Sequence, residues 1–403
     1  MTTHPLHPFS LKPQSVSFKA LPPLSLYIHI PWCVKKCPYC DFNSHEVRGA
    51  HKGVPLELER QYVAALVRDL EMALPQIWGR KVYTVFFGGG TPSLLSGAAI
   101  TEILRHVRML LPLDIHAEIT LEANPGTVEA NQFAAFRDAG VNRLSMGIQS
   151  FNDAHLQTLG RIHSADEARR AIEIAQQHFE NFNLDLMYAL PKQTLAEALQ
   201  DVQTALSFAP PHLSCYHLTL EPNTLFHRNP PPLPDDDASS DMQQQIEQLL
   251  AEHGYQHYET STFAQPKKRA KHNLNYWQFG DYLGIGAGAH SKLSFPDKIL
   301  RQVRHKQPQA YLQQTMQGTP IQTENSVPMH ELAFEFMLNA LRLNEGFDAS
   351  LFNERTSLSL LSIQHELNAA EQRGLLWRDH QRIAPTQQGQ RFLNELLEMF
   401  LQG

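Results

Sequence analysis

The sequence is poor in cysteine. It has four in 403 residues, and Cys33, Cys37 and Cys40 fall within eight residues of one another while Cys215 stands alone. That crowding excludes a disulfide framework, whose cysteines are spread along the chain, and points to metal or redox chemistry in a reducing compartment. No stretch approaches the roughly 18 uninterrupted apolar residues of a membrane span, so the chain does not read as an integral membrane protein. Met1 to Gln14 carries His4, Pro5, His7, Pro8 and Pro13 where an export signal would place an apolar core, so a cytoplasmic protein is expected. Any membrane association would be peripheral, since no lipidation signal is present. Excess basic charge is missing as well. The 34 Lys and Arg against 41 Asp and Glu give a net charge of −7, which argues against a surface built to meet nucleic acid.

What is present is an ordinary globular composition, 42% hydrophobic and 19% charged, in a chain long enough for two or three domains of about 100–200 residues. From Leu26 onward, short β-branched or aromatic runs alternate with amphipathic stretches. The predicted strands are Leu26 to Ile30, Val82 to Phe87, Glu118 to Glu122, Arg143 to Gly147, Asn183 to Tyr188 and Leu213 to Leu218. The predicted helices are Leu58 to Leu74, Ile100 to Leu111, Gln132 to Ala139, Ala165 to Phe179 and Leu195 to Phe208. Ser164 with Glu167 and Thr194 with Glu197 fit the capping box that opens a helix.

Strands separated by helices pair in parallel with right-handed crossovers, so these units curl toward a partial (β/α)6 barrel in an α/β protein, with a flat doubly wound sheet as the alternative. Either way, reactive groups collect at the carboxyl ends of the strands, where the cysteine cluster, Gly88 to Gly90, Glu122, Gln149 and Asp185 all fall. The chain divides by pattern into a Pro-rich segment (1–24), the barrel (25–238), a barrel extension (239–325) and a smaller helical, winged-helix-like C-terminal region (326–403). Within it, Asn229 to Asp237 reads as a stiff Pro-rich and acidic connector, and Tyr255 to Phe263 as one strand. Glu366, Glu371, Glu395 and Glu398 in the last region speak against a DNA-reading helix there.

The strongest chemical signal is the C-x-x-x-C-x-x-C loop after the first strand. Three thiolates can hold three corners of an iron-sulfur cubane and leave the fourth iron open to a small molecule. Cys215 is either a fourth ligand or a buried small hydrophobe. The competing reading is structural zinc, which takes four closed ligands and would need His29 or His45 to complete the set.

The loop, with aromatic Tyr39 before its third cysteine, resembles the signature of radical S-adenosylmethionine (SAM) enzymes, in which a 4Fe-4S cluster reduces SAM to methionine and a 5'-deoxyadenosyl radical. Phe87 to Ser93 (FGGGTPS) resembles that family's glycine motif for the methionine end of SAM, and Glu122 to Pro125 (EANP) resembles the strand that meets its ribose. The resemblance implies that Cys33, Cys37 and Cys40 hold the cluster, and that Tyr27, Tyr39, Gly89, Gly90, Thr91 and Glu122 belong to the SAM site.

A narrower resemblance, from Tyr27 to beyond Ser291, is to the group around oxygen-independent coproporphyrinogen III oxidase, HemN. It rests on Arg143 to Phe151 (RLSMGIQSF), Leu159 to His163 (LGRIH), Asp185 to Pro191 (DLMYALP) and Tyr282 to Gly286 (YLGIG). Gln149, Arg161 and Asp185 match positions that meet a second SAM in the oxidase; the less favoured alternative makes Arg161 and Asp185 an ordinary buried ion pair. Two departures matter. The oxidase has a further cysteine just after the triplet, whereas Cys40 is followed by Asp41-Phe42-Asn43-Ser44, and the oxidase's N-terminal arm has no match here. The C-D-F-N-S continuation is similar instead to the group's heme-chaperone family, HemW, as is the H-N-x-x-Y-W block formed by His272, Asn273, Tyr276 and Trp277. An imidazole or a tyrosinate can ligate heme iron and an indole can stack on the macrocycle, while Lys267, Lys268, Arg269 and Lys271 could pair with its propionates. The resemblance implies a heme-binding chaperone, carrying cluster, SAM and heme, that serves apo-hemoproteins such as respiratory enzymes at the membrane. The alternative is an oxidase that decarboxylates the propionates of coproporphyrinogen III.

Overall fold

The computed structural model describes residues 16–47, 53–126 and 130–401. Most of the Pro-rich N-terminal segment expected from the sequence, residues 1–15, lies outside the described residues. Six parallel strands follow one another across a sheet: β1 Leu24–Ile30, β2 Val82–Gly89, β3 Leu113–Ala123, β4 Arg143–Gln149, β5 Phe182–Tyr188 and β6 His212–His217. Five helices make crossovers between them: α1 Leu56–Ala73, α2 Gly97–Leu110, α3 Phe133–Ala139, α4 Ala165–His178 and α5 Leu195–Ser207. Each turns an apolar stripe to the sheet. In α2 the buried residues are Ala99, Ile100, Ile103, Leu104 and Val107, spaced for one helical face, and the Ser96 side chain caps the start by accepting from the Ala99 N–H. Both capping boxes expected from the sequence are formed, at Ser164–Glu167 and Thr194–Glu197.

The strands alternate in a way that explains the site. In β1, Leu24, Leu26, Ile28 and Ile30 pack into the hydrophobic core, which puts Ser25, Tyr27 and His29 on the other face. The same period gives that face Thr84 of β2, Glu118, Thr120 and Glu122 of β3, Arg143 and Ser145 of β4, Asn183 and Asp185 of β5, and His212 and Ser214 of β6. These strands therefore bury apolar residues under the helices and line their concave side with polar ones. That polar interior needs partners for each group, and the chain downstream supplies many of them.

The sheet grows at both edges. Beyond β6 come α6 Asp236–Glu252 and an antiparallel pair, β7 Gln256–Glu259 and β8 Thr262–Ala264; beyond β1 come β9 Asp281–Ile285, β10 His290–Phe295, β11 Lys298–Arg304 and β12 Ile321–Ser326. The sheet order is β12-β11-β10-β9-β1-β2-β3-β4-β5-β6-β8-β7, with β9 joining β1 in parallel. Two expectations change here. Tyr255 to Phe263 is not one strand but the two arms of a hairpin turning at Thr260 and Ser261. The acidic end of Asn229 to Asp237 is a helix start rather than a connector: Asp235 accepts from the Ala238 N–H and Asp236 and Asp237 occupy the first turn, where carboxylates suit the positive end of the helix dipole.

Helix α7, Lys271–Trp277, lies across the concave side of the sheet. Glu118 accepts from the N–H groups of Lys271 and His272, and Asn275 donates to Ser25. The extension is fastened by a buried ion pair, Arg304 of β11 with Asp69 of α1 at 3.2 Å, Asp69 also accepting from the Tyr311 hydroxyl. Helix α8, Met329–Ala340, then opens a C-terminal region with its own core around Phe336, Phe352, Leu367 and Phe400. Its small sheet, of Phe347–Asp348, Leu376–Arg378 and Arg382–Pro385, has the last strand in the middle. Val16 packs into the same core, and Ser17 is hydrogen-bonded to Ser357. Among the described residues no helix is long and apolar enough to cross a membrane.

Candidate functional site

The cysteine loop leaves the end of β1 and is closed at its base, where Trp32–Cys33 pairs with His45–Glu46. Cys33, Cys37 and Cys40 are free thiols, each half-buried. Each sulfur has a polar neighbour: the Thr91 hydroxyl donates to Cys33 at 3.4 Å, Arg161 Nη1 to Cys37 at 3.7 Å, and the Ser44 hydroxyl lies 3.9 Å from Cys40. Burial pushes the Cys33 and Cys40 thiols up, so a bound cation is what would make thiolates of them. Among the described residues no three His, Cys, Asp or Glu side chains are placed to share a single metal ion. Both nitrogens of His29 are engaged, by the Tyr27 hydroxyl at 3.0 Å and the Asn43 carbonyl at 2.9 Å. That leaves His29 unsuited to complete a zinc site. A cubane gives each thiolate its own iron, so thiols spread around a cavity fit it. Cys215 is buried in the core, its thiol pushed up to about 12 by burial and then by Asp185, and it behaves as a small hydrophobe.

The residues after the triplet tie the loop down. Asn43 Nδ2 donates to the carbonyls of Ala287 and Lys306, both at 2.9 Å, and Lys36 Nζ donates to the Phe42 carbonyl. The D-F-N-S run is thus a clasp between the cysteine loop and the sheet extension.

The glycine turn ending β2 fits against this loop only because it lacks side chains. Gly89 has φ +111, and a Cβ there would lie 2.4 Å from the His29 ring; one on Gly90 would lie 2.6 Å from the Trp32 carbonyl oxygen. The close approach lets the N–H groups of Gly90 and Thr91 reach the carbonyls of Ile30 and Trp32. Gly89 N–H donates to Glu122 at 3.1 Å, and Asn124 donates to the Thr91 hydroxyl at 3.0 Å.

A cavity of about 730 Å³ opens at the carboxyl ends of the strands and is lined by Cys33, Cys37, Tyr39, Cys40, Gly89, Gly90, Thr91, Glu122, Gln149, Arg161, Asp185 and Asn273. Most of the residues singled out for cluster and SAM therefore share one space. Arg161 does not pair with Asp185. Its Nη2 donates to Asn124 Oδ1 at 2.6 Å and to the Gly147 carbonyl at 2.8 Å, while Asp185 accepts from Asn183 and Ser145. Gln149 sits at φ 67, a left-handed conformation that non-glycine residues rarely adopt outside special sites. Burial, and then the neighbouring Asp185, raises Glu122 to about 8; burial also raises Asp185. Two reluctant carboxylates facing one cavity suit a cationic or hydroxyl-bearing ligand.

Tyr27 lines a second cavity of about 500 Å³, which shares Phe42, Gly89 and Glu122 with the first. Here the H-N-x-x-Y-W block divides. Tyr276 and Trp277 line the second cavity and Asn273 the first, but His272 lines neither. The His272 ring is 1% exposed, with Nδ1 2.7 Å from the Thr84 hydroxyl and Nε2 3.0 Å from the Tyr276 hydroxyl; burial, then Arg143, lowers it to about 3. It is a neutral, doubly bonded imidazole within the fold. Lys267, Lys268, Arg269 and Lys271 line neither cavity, and Arg269 is paired with Glu345. Asn124, Asn43, His290 and Arg301 also belong to these sites and were not among the residues expected there. Asn124 and Asn43 stood inside recognised motifs, whereas nothing in their neighbours marked the other two.

An α/β sheet whose carboxyl edge gathers three thiols, a glycine turn and paired carboxylates defines a radical SAM protein, and residues 27–205 match the radical SAM superfamily while residues 327–392 match the HemN C-terminal domain. The chain is 50% identical over 383 residues to the heme chaperone HemW of Escherichia coli (strain K12), covering 94% of this chain and 99% of that protein. It is 48% identical to the heme chaperone HemW of Haemophilus influenzae, covering 94% and 98%. Among solved structures it is similar to the coproporphyrinogen III oxidase HemN of Escherichia coli, described as a radical SAM enzyme, with TM-score 0.79 and 25% identity over 94% of this chain and 90% of that one. The chain belongs to the HemW family.

Proposed function

We propose that this protein is a heme chaperone that takes up heme and passes it to apo-hemoproteins, respiratory enzymes at the membrane surface among them. In this reading Cys33, Cys37 and Cys40 hold a 4Fe-4S cluster, and Gly89, Gly90, Thr91, Glu122, Tyr39 and Arg161 receive SAM beside it, with Tyr27 behind Glu122 and with Gln149 and Asp185 across the cavity. The fit rests on the donor set and the space. Three free thiols border one cavity, and the glycine turn leaves backbone where a Cβ would collide. When bound, the group supplies one-electron reducing power to SAM. The chain's own residues do the rest: Arg161 and Thr91 place hydrogen-bond donors against two of the sulfurs, and Glu122 holds a proton in the cavity until a cation displaces it.

The observation that carries the chaperone reading is the second cavity, aromatic and sharing Phe42, Gly89 and Glu122 with the first. Tyr276 and Trp277 of the H-N-x-x-Y-W block line it, and indole and phenol faces suit a macrocycle; Asn273 belongs to the neighbouring space. His272 acts by positioning Tyr276. The 50% identity to a chaperone, against 25% to the oxidase, ranks oxidative decarboxylation second. Anaerobic protein carrying its cluster should bind hemin saturably and transfer it to an apo-acceptor, without sustained turnover of coproporphyrinogen III. Sustained conversion to protoporphyrinogen IX would reverse the assignment.

A further inference from the structure

Of the two imidazoles that line the second cavity, one has no hydrogen bond to its ring among the described residues. His290 opens β10 at its rim and is exposed, and no hydrogen bond engages either of its ring nitrogens among the described residues. The other ligand candidates there are committed. His29 is bonded at both nitrogens. Tyr276 is bonded to His272, and Tyr282 to Arg301 Nη1 at 2.8 Å. Burial holds Tyr27, Tyr276 and Tyr282 above the ordinary phenol value, so none offers a phenolate. Lys292 is buried on Asp281. At His290, by contrast, partial desolvation and then the positive charges of Lys306 and Arg301 lower the pKa, which favours the neutral imidazole, the form that binds a metal.

The surroundings match a flat, dianionic metal macrocycle. At about 500 Å³ the cavity is of cofactor size. Trp277 contributes an indole whose Nε1 is buried without an acceptor among the described residues, so a polar group of an incoming ligand would find a donor waiting. Arg301 faces the same space with its side chain 32% exposed and, among the described residues, is paired with the Glu335 carboxylate, and a guanidinium in that position can exchange one carboxylate for another.

We infer that His290 is the residue that ligates the iron of bound heme, with Arg301 receiving a propionate and Tyr276 and Trp277 lining the macrocycle. The inference rests on the heme-chaperone reading and moves the metal-binding role from His272 to His290. It also sets the heme next to Glu122 and Gly89, the wall shared with the thiol-lined cavity.

The test is a hemin titration of cluster-loaded wild-type, His290→Ala and His272→Ala proteins, followed by Soret absorption and resonance Raman of the iron-ligand bond. The expected result is saturable uptake by wild type, and for His290→Ala loss of the imidazole-ligated spectrum with affinity weakened about tenfold or more. Free imidazole should restore the ligated spectrum in His290→Ala, which a merely structural role could not do. Unchanged spectrum and affinity in His290→Ala, or loss of the ligand band only in His272→Ala, overturns the assignment and leaves the chaperone reading standing. Absence of saturable uptake by wild type overturns both.

Discussion

The replacement Glu122→Gln isolates the physical character of the larger cavity. Glutamine keeps the volume and an acceptor for the Gly89 N–H, which lies 3.1 Å from the carboxylate, while removing the titration. Glu122 rises from 4.5 to about 8 in the folded protein, chiefly through burial and secondarily through Asp185. The folded state therefore holds this proton more tightly than the unfolded chain does. Its contribution to stability is complete below about pH 4.5 and is lost as pH rises through 8. At ~1.36 kcal/mol per pH unit, the loss between about pH 5.5 and 8.5 is at most roughly 3 kcal/mol. Urea unfolding of cluster-free wild type and variant at those two pH values measures it: wild type should fall toward or below the variant as pH rises. A stability difference that is the same at both pH values, or one that moves in wild type's favour at high pH, would refute the reasoning.

Other outcomes follow from single contacts. Gly90→Ala puts a methyl 2.6 Å from the Trp32 carbonyl, backbone that cannot yield cheaply; it should cost about 1–3 kcal/mol and abolish SAM binding by equilibrium dialysis while some cluster is retained. Arg304→Met strands Asp69, whose side chain is fully buried, and should destabilise the fold by about 3–5 kcal/mol in chemical denaturation. His272→Ala leaves the Thr84 and Tyr276 hydroxyls without their shared partner, a loss of about 1–3 kcal/mol visible as a lower midpoint of unfolding.

The barrel was legible because its period is redundant. Strands such as Asn183 to Tyr188 are bounded by capped helices, and the observed strand, Phe182–Tyr188, differs by one residue. The thiol-lined cavity was legible for a similar reason: its residues follow strands, and strand ends converge whatever the curvature. What lay beyond the sequence was contact across long separations. His272 reads as a ligand in its motif, yet Thr84, 188 positions away, is what occupies its Nδ1. Arg161 and Asp185 are opposite charges that suggest a pair, but Asn124 and Asn183 reach them first. The acidic run before α6 looked like a linker because the same carboxylates that solvate a connector also cap a helix. His290 carries no local signal at all, since only the folding of β10 against β9 brings it to the cavity beside Tyr27.

The central proposal, a cluster on three thiols with one iron left open, is tested most directly by electron paramagnetic resonance of the anaerobic, reduced protein with and without SAM, alongside iron and sulfide analysis. The expected result is equal iron and sulfide, a cubane signal that shifts when SAM is added, and loss of that signal in Cys37→Ala. Zinc in place of iron and sulfide, or a cubane signal that SAM leaves unmoved, would contradict it.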